Sequence, residues 1–511
     1  MKYKIPHKDT NCFSKFILDY INKDKKISPF LNYFPEIEHF DKQILEKKTH
    51  DVDRNILVDV LRRQNDFLNL SKLSKENIDL LKLKTTFSVT TGHQLCLFTG
   101  PLYFIYKIIS TLNLCEQLTV EYPDNNFVPV FWMASEDHDF KEINHIHLFR
   151  KRIEWGSQQV GPVGKMNLDG MEDVISELRF SLGSHNNVDK LVSIFEKTYL
   201  DHNSLAEATR YLVNELFGKY GLLIIDGDDK GLKKQFISQI KKDVIEKGFE
   251  LSIKECSDRL SKDYKVQAFI RDINFFKLSN GERCLIKEEI AESDIEKNPE
   301  EFSPNVLLRP LYQEVVLPNI AYVGGESEIA YWAQLKTSFE QEKIPFPLLV
   351  LRNSALLIDE KKQHAFEKLG FGLSDLFLSE DELYKRYILT HSTLDISLEK
   401  DKKDLALVYK KIESKFSDIG LKNSIKAQLQ KQFSSLDKLQ EKLIRVEKKK
   451  DEAAISQIAK IKRQLFSNNS LQERYDNFNS YYLIHGESFI KTLKDNLDPL
   501  NPNFVVLTLK N

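Results

Sequence analysis

The stretch TTGHQLCLFTGPLYFIYKIIS, residues Thr90–Ser110, carries the pattern that decides the fold class. A β-branched run leads into Gly92, a second glycine precedes Pro101, and an apolar segment of helical character follows. Glycine permits backbone angles that a side chain would block, and proline suits the first turn of a helix. The stretch therefore predicts a strand, a tight loop and a helix whose positive N-terminal end suits an anion.

Lys107 lies nearly two turns along this predicted helix, so it reaches a bound anion only if the loop folds back. The stretch matches neither the G-x-x-x-x-G-K-[ST] nor the G-x-G-x-x-G fingerprint of nucleotide-binding loops. Two interpretations stay open at this point. The stretch is either a ligand-binding loop or an ordinary turn between two core elements.

The segments around this stretch indicate an α/β fold. Between residues 86 and 385, short apolar runs alternate with helical patterns; these runs are TFSVTT, FVPVFWMA, GLLIID and FPLLVLR. Such alternation is typical of βαβ units and predicts a mostly parallel sheet that is covered on both faces. Residues 155–170 read as a loop or insertion, and residues 267–287 predict a β-hairpin that turns at Ser279, Asn280 and Gly281.

The predicted division of the chain into segments follows from these changes in composition and apolar pattern. Residues 1–85 lack glycine and predict helices packed on the core, and residues 86–385 form the core with insertions near 155–215 and 255–300. Residues 386–470 predict a helical arm, and residues 471–511 predict a helix and a last strand, NFVVLTL, that returns to the core.

The arm has the apolar spacing of an antiparallel helical hairpin. In the prediction, Gly420 ends its first helix and a second helix begins after Asn423. The first helix carries Leu405, Val408, Ile412, Phe416 and Ile419, and the seam of the second consists of Leu429, Leu436 and Leu443 with Leu439, Val446 and Ala453. An amphipathic helix packed on the body is the alternative, because such seams are short.

The composition narrows the classes of function. The chain has 511 residues and a formal net charge of −2, which disfavours a nucleic-acid protein that depends on phosphate contacts. Its five cysteines are well separated and form no CxxC pair, so free thiols in a reducing compartment are expected. The chain shows neither an apolar signal core nor a run of about 18 apolar residues, so we expect a soluble cytoplasmic protein without a membrane partner.

A cluster of titratable groups follows the second apolar run, in the stretch SEDHDFKEINH. Ser135 is the expected N-cap of a helix, and carboxylates in a first helical turn are favoured by the helix dipole alone. Asp137, His138 and Asp139 also lie at the carboxyl end of a strand, where open α/β sheets bind their ligands. Catalysis or substrate binding, capping and metal binding all stay open, although the spacing matches no standard metal site.

Later segments offer further candidates. Arg271 belongs to the stretch IRDINFF, where it forms either part of a site or a surface pair with Asp272. Arg309 precedes a turn at Gly324 and Gly325, after which a helix that carries Glu328 begins near Ser327. A glycine turn that opens a helix is a second candidate ligand site.

These stretches together resemble one known family. TTGHQLCLFTGPLYFIYKIIS, VPVFWMASEDHDFKEINH, RDINFF, SPNVLLRPLYQEVVLPNIAYVGG and EIAYWAQLK are similar, in order and spacing, to segments of the bacillithiol-biosynthesis cysteine-adding enzymes. The resemblance implies a Rossmann-like core with connecting-peptide insertions, an antiparallel coiled-coil arm that supports a homodimer, and an architecture similar to class I aminoacyl-tRNA synthetases and nucleotidyltransferases. It also implies a ligase that joins L-cysteine to glucosaminyl-malate to form bacillithiol.

The resemblance and the motifs together suggest a set of site residues. Asp137, His138 and Asp139 are the expected acid/base groups, and no metal ligand is expected. The expected substrate- and cofactor-binding residues are Gly92, His93, Gln94, Gly100, Lys107, Arg271, Arg309, Gly324, Gly325 and Glu328. The chain departs from the usual family pattern at His93, Cys96 and Glu326.

Amide formation from a carboxylate requires activation, so ATP with Mg²⁺ is the expected cosubstrate. The His-x-Gly-His signature of synthetases is absent, and the only Lys-x-Ser-Lys, Lys72–Lys75, precedes the first core strand. The route of activation therefore stays open. A non-catalytic, nucleotide-sensing protein that acts through its coiled coil is the alternative function, and a tRNA-binding synthetase relative is disfavoured by the net charge.

Overall fold

A computed structural model of the chain describes residues 2–279, 281–392 and 396–510. These residues form two compact units. The first, here called the core unit, comprises residues 2–356 and 471–507, and the second, here called the helical unit, comprises residues 357–470 and 508–510. None of the described helices is long and apolar enough to cross a membrane.

The strands are, in chain order, β1 Lys2–Pro6, β2 Thr86–His93, β3 Asn126–Met133, β4 His145–Leu148, β5 Lys151–Glu154, β6 Leu223–Asp226, β7 Phe275–Ser279, β8 Glu282–Leu285, β9 Phe302–Pro304, β10 Asn319–Gly324, β11 Leu348–Leu351, β12 Ala355–Asp359 and β13 Asn503–Leu509.

The helices of the core unit are α1 Lys15–Ile21, α2 Phe40–Lys47, α3 Arg54–Gln64, α4 Lys72–Leu80, α5 Tyr103–Glu121, α6 Phe140–Ile143, α7 Met171–Leu182, α8 Val188–Leu200, α9 Leu205–Phe217, α10 Lys230–Lys234, α11 Ile237–Val244, α12 Glu250–Ser261, α13 Glu292–Lys297, α14 Arg309–Val316, α15 Glu326–Ala333 and α16 Lys336–Glu342. The helical unit contains α17 Glu360–Lys368, α18 Glu380–His391, α19 Glu399–Glu413, α20 Ile419–Lys448 and α21 Glu452–Leu465. The core unit ends with α22 Asn479–His485 and α23 Ser488–Asn496.

A five-stranded parallel sheet with the order β11-β10-β2-β3-β6 forms the centre of the core unit. The predicted α/β fold is therefore confirmed, and all four predicted apolar runs are strands of this sheet. Both faces are covered, as the continuous apolar runs predict. Along β3, Val128 and Val130 pack with Leu57 of α3, whereas Phe127 packs on the opposite face with Leu114 of α5. All five strands end at one edge, and this edge carries the candidate site.

Two smaller predicted elements are also confirmed. Residues 267–287 contain an antiparallel hairpin of β7 and β8, although Asn280 of the predicted turn lies outside the described residues. The last strand, NFVVLTL, is β13, and it pairs antiparallel with β1 in a three-stranded sheet of the order β1-β13-β12.

The N-terminal region is not purely helical, because residues Lys2–Pro6 form β1. Only Ile5 of this strand is buried, so the strand has no run of apolar residues that would indicate it. Its partner β13 lies at the other end of the chain. A pairing of such sequence separation leaves no local signal, and the prediction of helices alone for residues 1–85 is wrong at this point.

The predicted helix beginnings need two corrections. The acidic stretch after β3 is a loop, because α6 begins only at Phe140, and Ser135 donates a hydrogen bond to Asp226 instead of capping a helix. Likewise, α5 begins at Tyr103, so Pro101 precedes its first turn and forms an isolated β-bridge with Asn477.

The break within the predicted helical hairpin is also displaced. Helix α19 ends at Glu413, and α20 begins at Ile419 with Asp418 as its N-cap, whose carboxylate accepts a hydrogen bond from the Leu421 amide at 2.7 Å. Gly420 lies inside α20, where a well-capped first turn tolerates it. Helices α19 and α20 are nonetheless antiparallel neighbours, joined by the pairs Lys402–Asp437 and Lys426–Glu413.

The predicted seam of α20 is wrong in part. Leu439 and Val446 are exposed, whereas Ile444 and Gln440 are buried. Ala453 belongs to the next helix, α21. The prediction from the seven-residue repeat fails here because α18 as well as α19 packs on α20, so α20 buries more than one stripe of side chains.

Candidate active site

A cleft of about 610 Å³ opens at the carboxyl ends of β2, β3 and β10. Parallel α/β sheets bind ligands at this edge, because the connecting loops diverge there and leave an open crevice. The cleft lies wholly within the core unit. Its charged and aromatic lining consists of His93, Tyr103, Lys107, Trp132, Asp137, Glu142, Arg309, Tyr322, Glu326, Glu328, Tyr331, Trp332, Arg352 and Arg474.

An ion pair between Lys107 and Glu328 crosses the floor of the cleft. The Lys107 ammonium donates to both carboxylate oxygens of Glu328 at 2.8 Å and to the carbonyl oxygen of Gly92. Glu328 also accepts hydrogen bonds from the Tyr322 hydroxyl at 2.5 Å and from the Gly325 amide at 2.8 Å. Lys107 is therefore committed to the protein, and the pair fastens β2 to the beginning of α15.

The charges of this pair follow from its surroundings. Burial alone would raise the pKa of Glu328, but the Lys107 ammonium and the hydrogen bonds to the carboxylate outweigh burial and hold the pKa below its ordinary value. Burial also lowers the pKa of Lys107, and the Glu328 carboxylate opposes this effect. Glu328 is thus ionised at neutral pH and cannot serve as a proton donor.

His93, at the end of β2, is a neutral imidazole on the cleft wall. Burial, aided by the Lys107 charge, lowers its pKa to about 4. Its Nδ1 lies 3.0 Å from the carbonyl oxygen of Gln94, and a carbonyl only accepts hydrogen bonds. The proton therefore resides on Nδ1, and Nε2 carries a lone pair that can accept a hydrogen bond from a ligand.

Cys96 lies beside this imidazole but has the properties of a packing residue. Its side chain is buried, and burial raises the pKa of the thiol to about 12, so the nucleophilic thiolate is not populated. A Cβ on Gly100 would lie 2.7 Å from the Cβ of Cys96, and Gly100 has a φ of +64°. Gly100 is thus required by the turn that seats Cys96, and it does not line the cleft.

An acidic corner occupies the side of the cleft next to β3. Gln94 donates from its Nε2 to Asp137 at 3.3 Å and to Glu142 at 2.8 Å. Burial raises the pKa of Asp137, but the positive charge of Arg309 and the His138 amide together outweigh burial and lower it. Asp137 and Glu142 therefore present an anionic surface that suits an ammonium or amine group.

The neighbours of Asp137 are placed differently. His138 and Asp139 do not line the cleft, and the side chain of His138 is 52% exposed. The His138 imidazole lies 3.2 Å from Arg283 of the β7–β8 hairpin. The structure thus brings only Asp137, of the three predicted acid/base residues, to the cleft.

Three arginines, Arg309, Arg352 and Arg474, also line the cleft. Among the described residues, no carboxylate lies within 4.0 Å of the Arg309 guanidinium, so this cation is available to an anionic ligand. Arg474 pairs with Glu326 at 2.9 Å, and Glu326 also accepts a hydrogen bond from the Ser14 amide. Arg352 pairs at 2.8 Å with Glu473, which is fully buried.

The remaining predicted residues divide into two groups. Gly92, Gln94 and Gly325 line the cleft, and Gly324 ends β10 beside it. Arg271 is exposed and lies outside the cleft, where its guanidinium faces the rings of Phe269 and Phe276. The predicted residues that the cleft unites are therefore His93, Gln94, Lys107, Asp137, Arg309, Glu328 and the glycines Gly92 and Gly325.

The sequence prediction misses several residues of the cleft. Arg352 follows β11, and Arg474 comes from a segment more than 100 residues further along the chain. Arg352 could have been found, because it directly follows the predicted strand FPLLVL and so belongs to the same sheet edge. Arg474 has no comparable signal, because its position depends on the return of the chain to the core unit after the helical unit.

Three backbone amides of the two glycine turns already have partners within the protein. The Gly100 amide donates to the Leu97 carbonyl and the Leu102 amide to the Asp476 carbonyl. The Gly325 amide is taken by Glu328, as described above. Among the described residues, no group of three or more His, Cys, Asp or Glu side chains is arranged to hold a metal ion.

Family models match both parts of the chain. Residues 1–353 match the model described as bacillithiol biosynthesis BshC, N-terminal Rossmann-like domain. Residues 355–509 match the model described as bacillithiol biosynthesis BshC, C-terminal coiled-coil domain. The chain belongs to the bacillithiol biosynthesis BshC family. The resemblance of the motifs, the Rossmann-like core and the coiled-coil domain are confirmed.

Curated relatives extend this similarity over nearly the full length. A protein of Christiangramia forsetii named "Putative cysteine ligase BshC" is 42% identical, with 99% of this chain and 98% of the relative covered. A Flavobacterium psychrophilum protein of the same name is 41% identical, with 98% of each chain covered. A solved Campylobacter jejuni structure titled as an arginyl-tRNA synthetase covers 88% of this chain, but at 12% identity and a TM-score of 0.24 it supports no argument.

Proposed function

We propose that this protein is a ligase that joins the carboxylate of L-cysteine to the amine of glucosaminyl-malate to form bacillithiol. The observation that carries the proposal is a single cleft that is lined both by the carboxylates of Asp137 and Glu142 and by arginines. The amine substrate carries the two complementary kinds of group, an amino group and two malate carboxylates. The name shared by the relatives supports the same reaction.

The residues of the cleft suggest how the two substrates are held. Asp137 and Glu142 attract the amino group, and Arg309 offers a charge-assisted hydrogen bond to a carboxylate. The Nε2 lone pair of His93 accepts a hydrogen bond from the amine, and this contact orients the nitrogen lone pair towards the acyl carbon. The aromatic walls exclude water, which strengthens these interactions.

The proposal includes ATP with Mg²⁺ as the source of activation. ATP supplies the energy that makes the cysteine carboxylate reactive towards an amine. The arginine side chains that line the cleft offer hydrogen-bond donors to its phosphate groups. Arg309 is the residue best suited to hold a phosphate, because it has no carboxylate partner among the described residues.

We further propose that the protein works as a cytoplasmic homodimer joined through α19 and α20. These helices and the short segment between them expose an apolar set that includes Leu407, Val408, Ile412, Phe416, Ile419 and Leu421. Exposed apolar side chains at helical spacing suit burial against a second copy. The five cysteines form no disulfide, which fits a reducing compartment.

The reaction is tested by incubating the purified protein with L-cysteine, glucosaminyl-malate, ATP and Mg²⁺. We expect bacillithiol to form, detected as a labelled thiol by chromatography and mass spectrometry, together with AMP or ADP. AMP indicates an adenylate, and ADP indicates an acyl phosphate. A folded protein that makes no product, alone or with cell extract, contradicts the ligase. Nucleotide binding without any product would favour a nucleotide-sensing interaction protein.

A further inference from the structure

Arg352 holds an unused hydrogen-bond donor at the cleft. The side chain is 7% exposed, and its Nη1 donates to the Asn353 carbonyl at 2.9 Å and to the Ser354 hydroxyl at 3.4 Å. Its Nη2 donates to Glu473 at 2.8 Å. Within the described part of the chain, the Nε–H has no hydrogen-bond partner. Buried donors are nearly always paired, so this N–H indicates a place for an acceptor that the protein itself does not supply.

The surroundings of Nε show which side it faces. A Cβ built on Gly325 would lie 3.6 Å from the Arg352 Nε, and Gly325 lines the cleft. The Tyr103 ring, also on the cleft wall, lies 5.2 Å from the centre of the guanidinium. Because residue 325 is a glycine, no side chain of that residue stands between the buried Nε–H and the cleft.

Glu473 holds the guanidinium in place. Its carboxylate is fully buried and accepts three hydrogen bonds. The donors are the Arg352 guanidinium, the Ser354 hydroxyl at 3.1 Å and the Ala355 amide at 2.9 Å. Because these contacts fix the Nη groups, the direction of the Nε–H is fixed as well. A lysine at this position could not reproduce a donor in that direction.

The local charge indicates which anion fits. Glu473 offsets the charge of Arg352, and the carboxylates of Glu326 and Glu328 lie on the same wall of the cleft. A phosphate with two negative charges would meet these carboxylates with little net attraction. A carboxylate carries one charge and needs one oxygen at the single available N–H. The site therefore favours a carboxylate over a phosphate.

We propose that Arg352 is a specificity-determining residue whose Nε–H binds a carboxylate oxygen of the malate group of the amine substrate. This inference rests on the proposed function for the identity of the substrate. It assigns to Arg352 and Gly325 together the recognition of a dicarboxylic acid, with Glu473 as a positioning residue.

The test uses L-malate alone as the probe and isothermal titration calorimetry on the full-length protein. We expect malate to bind the unaltered protein and to bind Arg352→Lys at least about tenfold more weakly, because the lysine keeps the charge and loses the directed donor. Gly325→Ala is expected to have a similar effect, since its methyl group would shield Nε. The φ of Gly325 is −78°, which alanine adopts without backbone strain, although the new Cβ would also lie 3.3 Å from a carboxylate oxygen of Glu328, which must shift slightly.

Controls separate this effect from unfolding and from general charge. Arg179→Lys alters a surface pair with Asp189 and is expected to leave malate binding unchanged. Circular dichroism reports whether each variant is folded, and Gly325→Ala keeps the test decisive if Arg352→Lys fails to fold. Inorganic phosphate, titrated in parallel, is expected to bind more weakly than malate and to be little affected by either variant.

Two outcomes would overturn the inference: malate that does not bind the unaltered protein, and malate that binds both variants with unchanged affinity. Phosphate affinity that falls in both variants while malate affinity does not would assign the donor to phosphate instead. The ligase assay is a separate measurement. If the protein forms bacillithiol but the variants bind malate as well as the unaltered protein does, only the role of Arg352 is refuted. If malate binding depends on Arg352 but no product forms, only the proposed function is refuted.

Discussion

At the scale of single residues, the buried pair of Lys107 and Glu328 is expected to dominate the stability of the cleft. Glu328→Gln leaves the Lys107 ammonium buried without its counter-charge, which should lower the free energy of unfolding by about 3–5 kcal/mol. Urea denaturation at pH 7 measures this change. The matched control is Glu340→Gln, which removes an exposed partner of Lys336 and should cost less than about 1 kcal/mol. Equal effects of the two variants would contradict the structural role of the pair.

The same carboxylate predicts a pH dependence. The folded-state pKa of Glu328 lies below its ordinary value of 4.5, so its stabilising contribution is present above that value and is lost as the pH falls through the folded-state pKa. Glu328→Gln should therefore flatten the acid limb of the unfolding free energy below pH 4.5. An acid limb that keeps its slope in the variant would show that other carboxylates cause it.

Asp226, at the end of β6, predicts a pH dependence of the unfolding free energy with the opposite sign. Burial raises its pKa from 3.8 to about 6, so its contribution is fully present below pH 3.8 and is lost as the pH rises through 6. The unfolding free energy of Asp226→Asn, relative to the unaltered protein, should thus rise by about 2 kcal/mol between pH 4 and pH 7. Urea titrations at four pH values measure the difference, and a constant difference would disprove the shift.

The acidic loop also separates two catalytic hypotheses. Asp137→Asn should lower kcat/KM of the ligase at least about tenfold, because the substrate amine loses a charged partner. His138→Ala should retain activity within about threefold, because its imidazole lies outside the cleft. Steady-state rates of bacillithiol formation measure both. A large loss in His138→Ala would restore the original assignment of His138 as an acid/base group.

At the scale of elements, the start of α20 depends on a single cap. Asp418→Ala removes the acceptor of the Leu421 amide and should reduce stability locally by about 1 kcal/mol. Hydrogen exchange of the first-turn amides of α20 measures the effect, and we expect faster exchange there than in the middle of α20. Asp404→Ala, inside α19, is the control with no cap to lose. Unchanged exchange in Asp418→Ala would mean that packing alone defines the beginning of α20.

Helices and strands are predicted correctly from the sequence where the pattern that indicates them lies within the element itself. The four apolar runs of the parallel sheet are recognisable because both of their faces are buried. β10 is not among them, since its sequence, NIAYVG, mixes polar and glycine residues with apolar ones. The N-terminal strand and the break before α20 were also misjudged. In the first case the partner strand is distant, and in the second a capping aspartate permits a glycine inside the helix.

The site was predictable to a similar degree. Residues that follow a predicted strand directly, such as His93 and Asp137, are found from the sequence because sheet edges bind ligands. The role of Lys107 cannot be found from the sequence, because its bidentate contact with Glu328 joins two helices that lie more than 200 residues apart in the chain. Arg474 was missed for the same reason. Long-range contacts of this kind leave no periodicity in the chain.

At the scale of the whole molecule, the exposed apolar residues of the helical unit predict the oligomeric state. Val408→Glu places a charge on this surface and should convert a dimer into a monomer, as measured by light scattering after size-exclusion chromatography. Val120→Glu is the control, since Val120 is also exposed but lies on α5. An unaltered protein that is monomeric, or a Val408→Glu variant that stays dimeric, would contradict a dimer formed through α19 and α20.

The burial of the cysteines has a consequence for chemistry in a thiol-rich cell. Burial raises the pKa of Cys96, Cys115 and Cys256, so these thiols stay protonated and react slowly with disulfides. Cys284, on the exposed strand β8, is accessible by comparison. Mixed disulfides with cystine should therefore form first at Cys284, which does not line the cleft. An enzyme of this build would keep the residues of its cleft chemically intact under oxidising conditions.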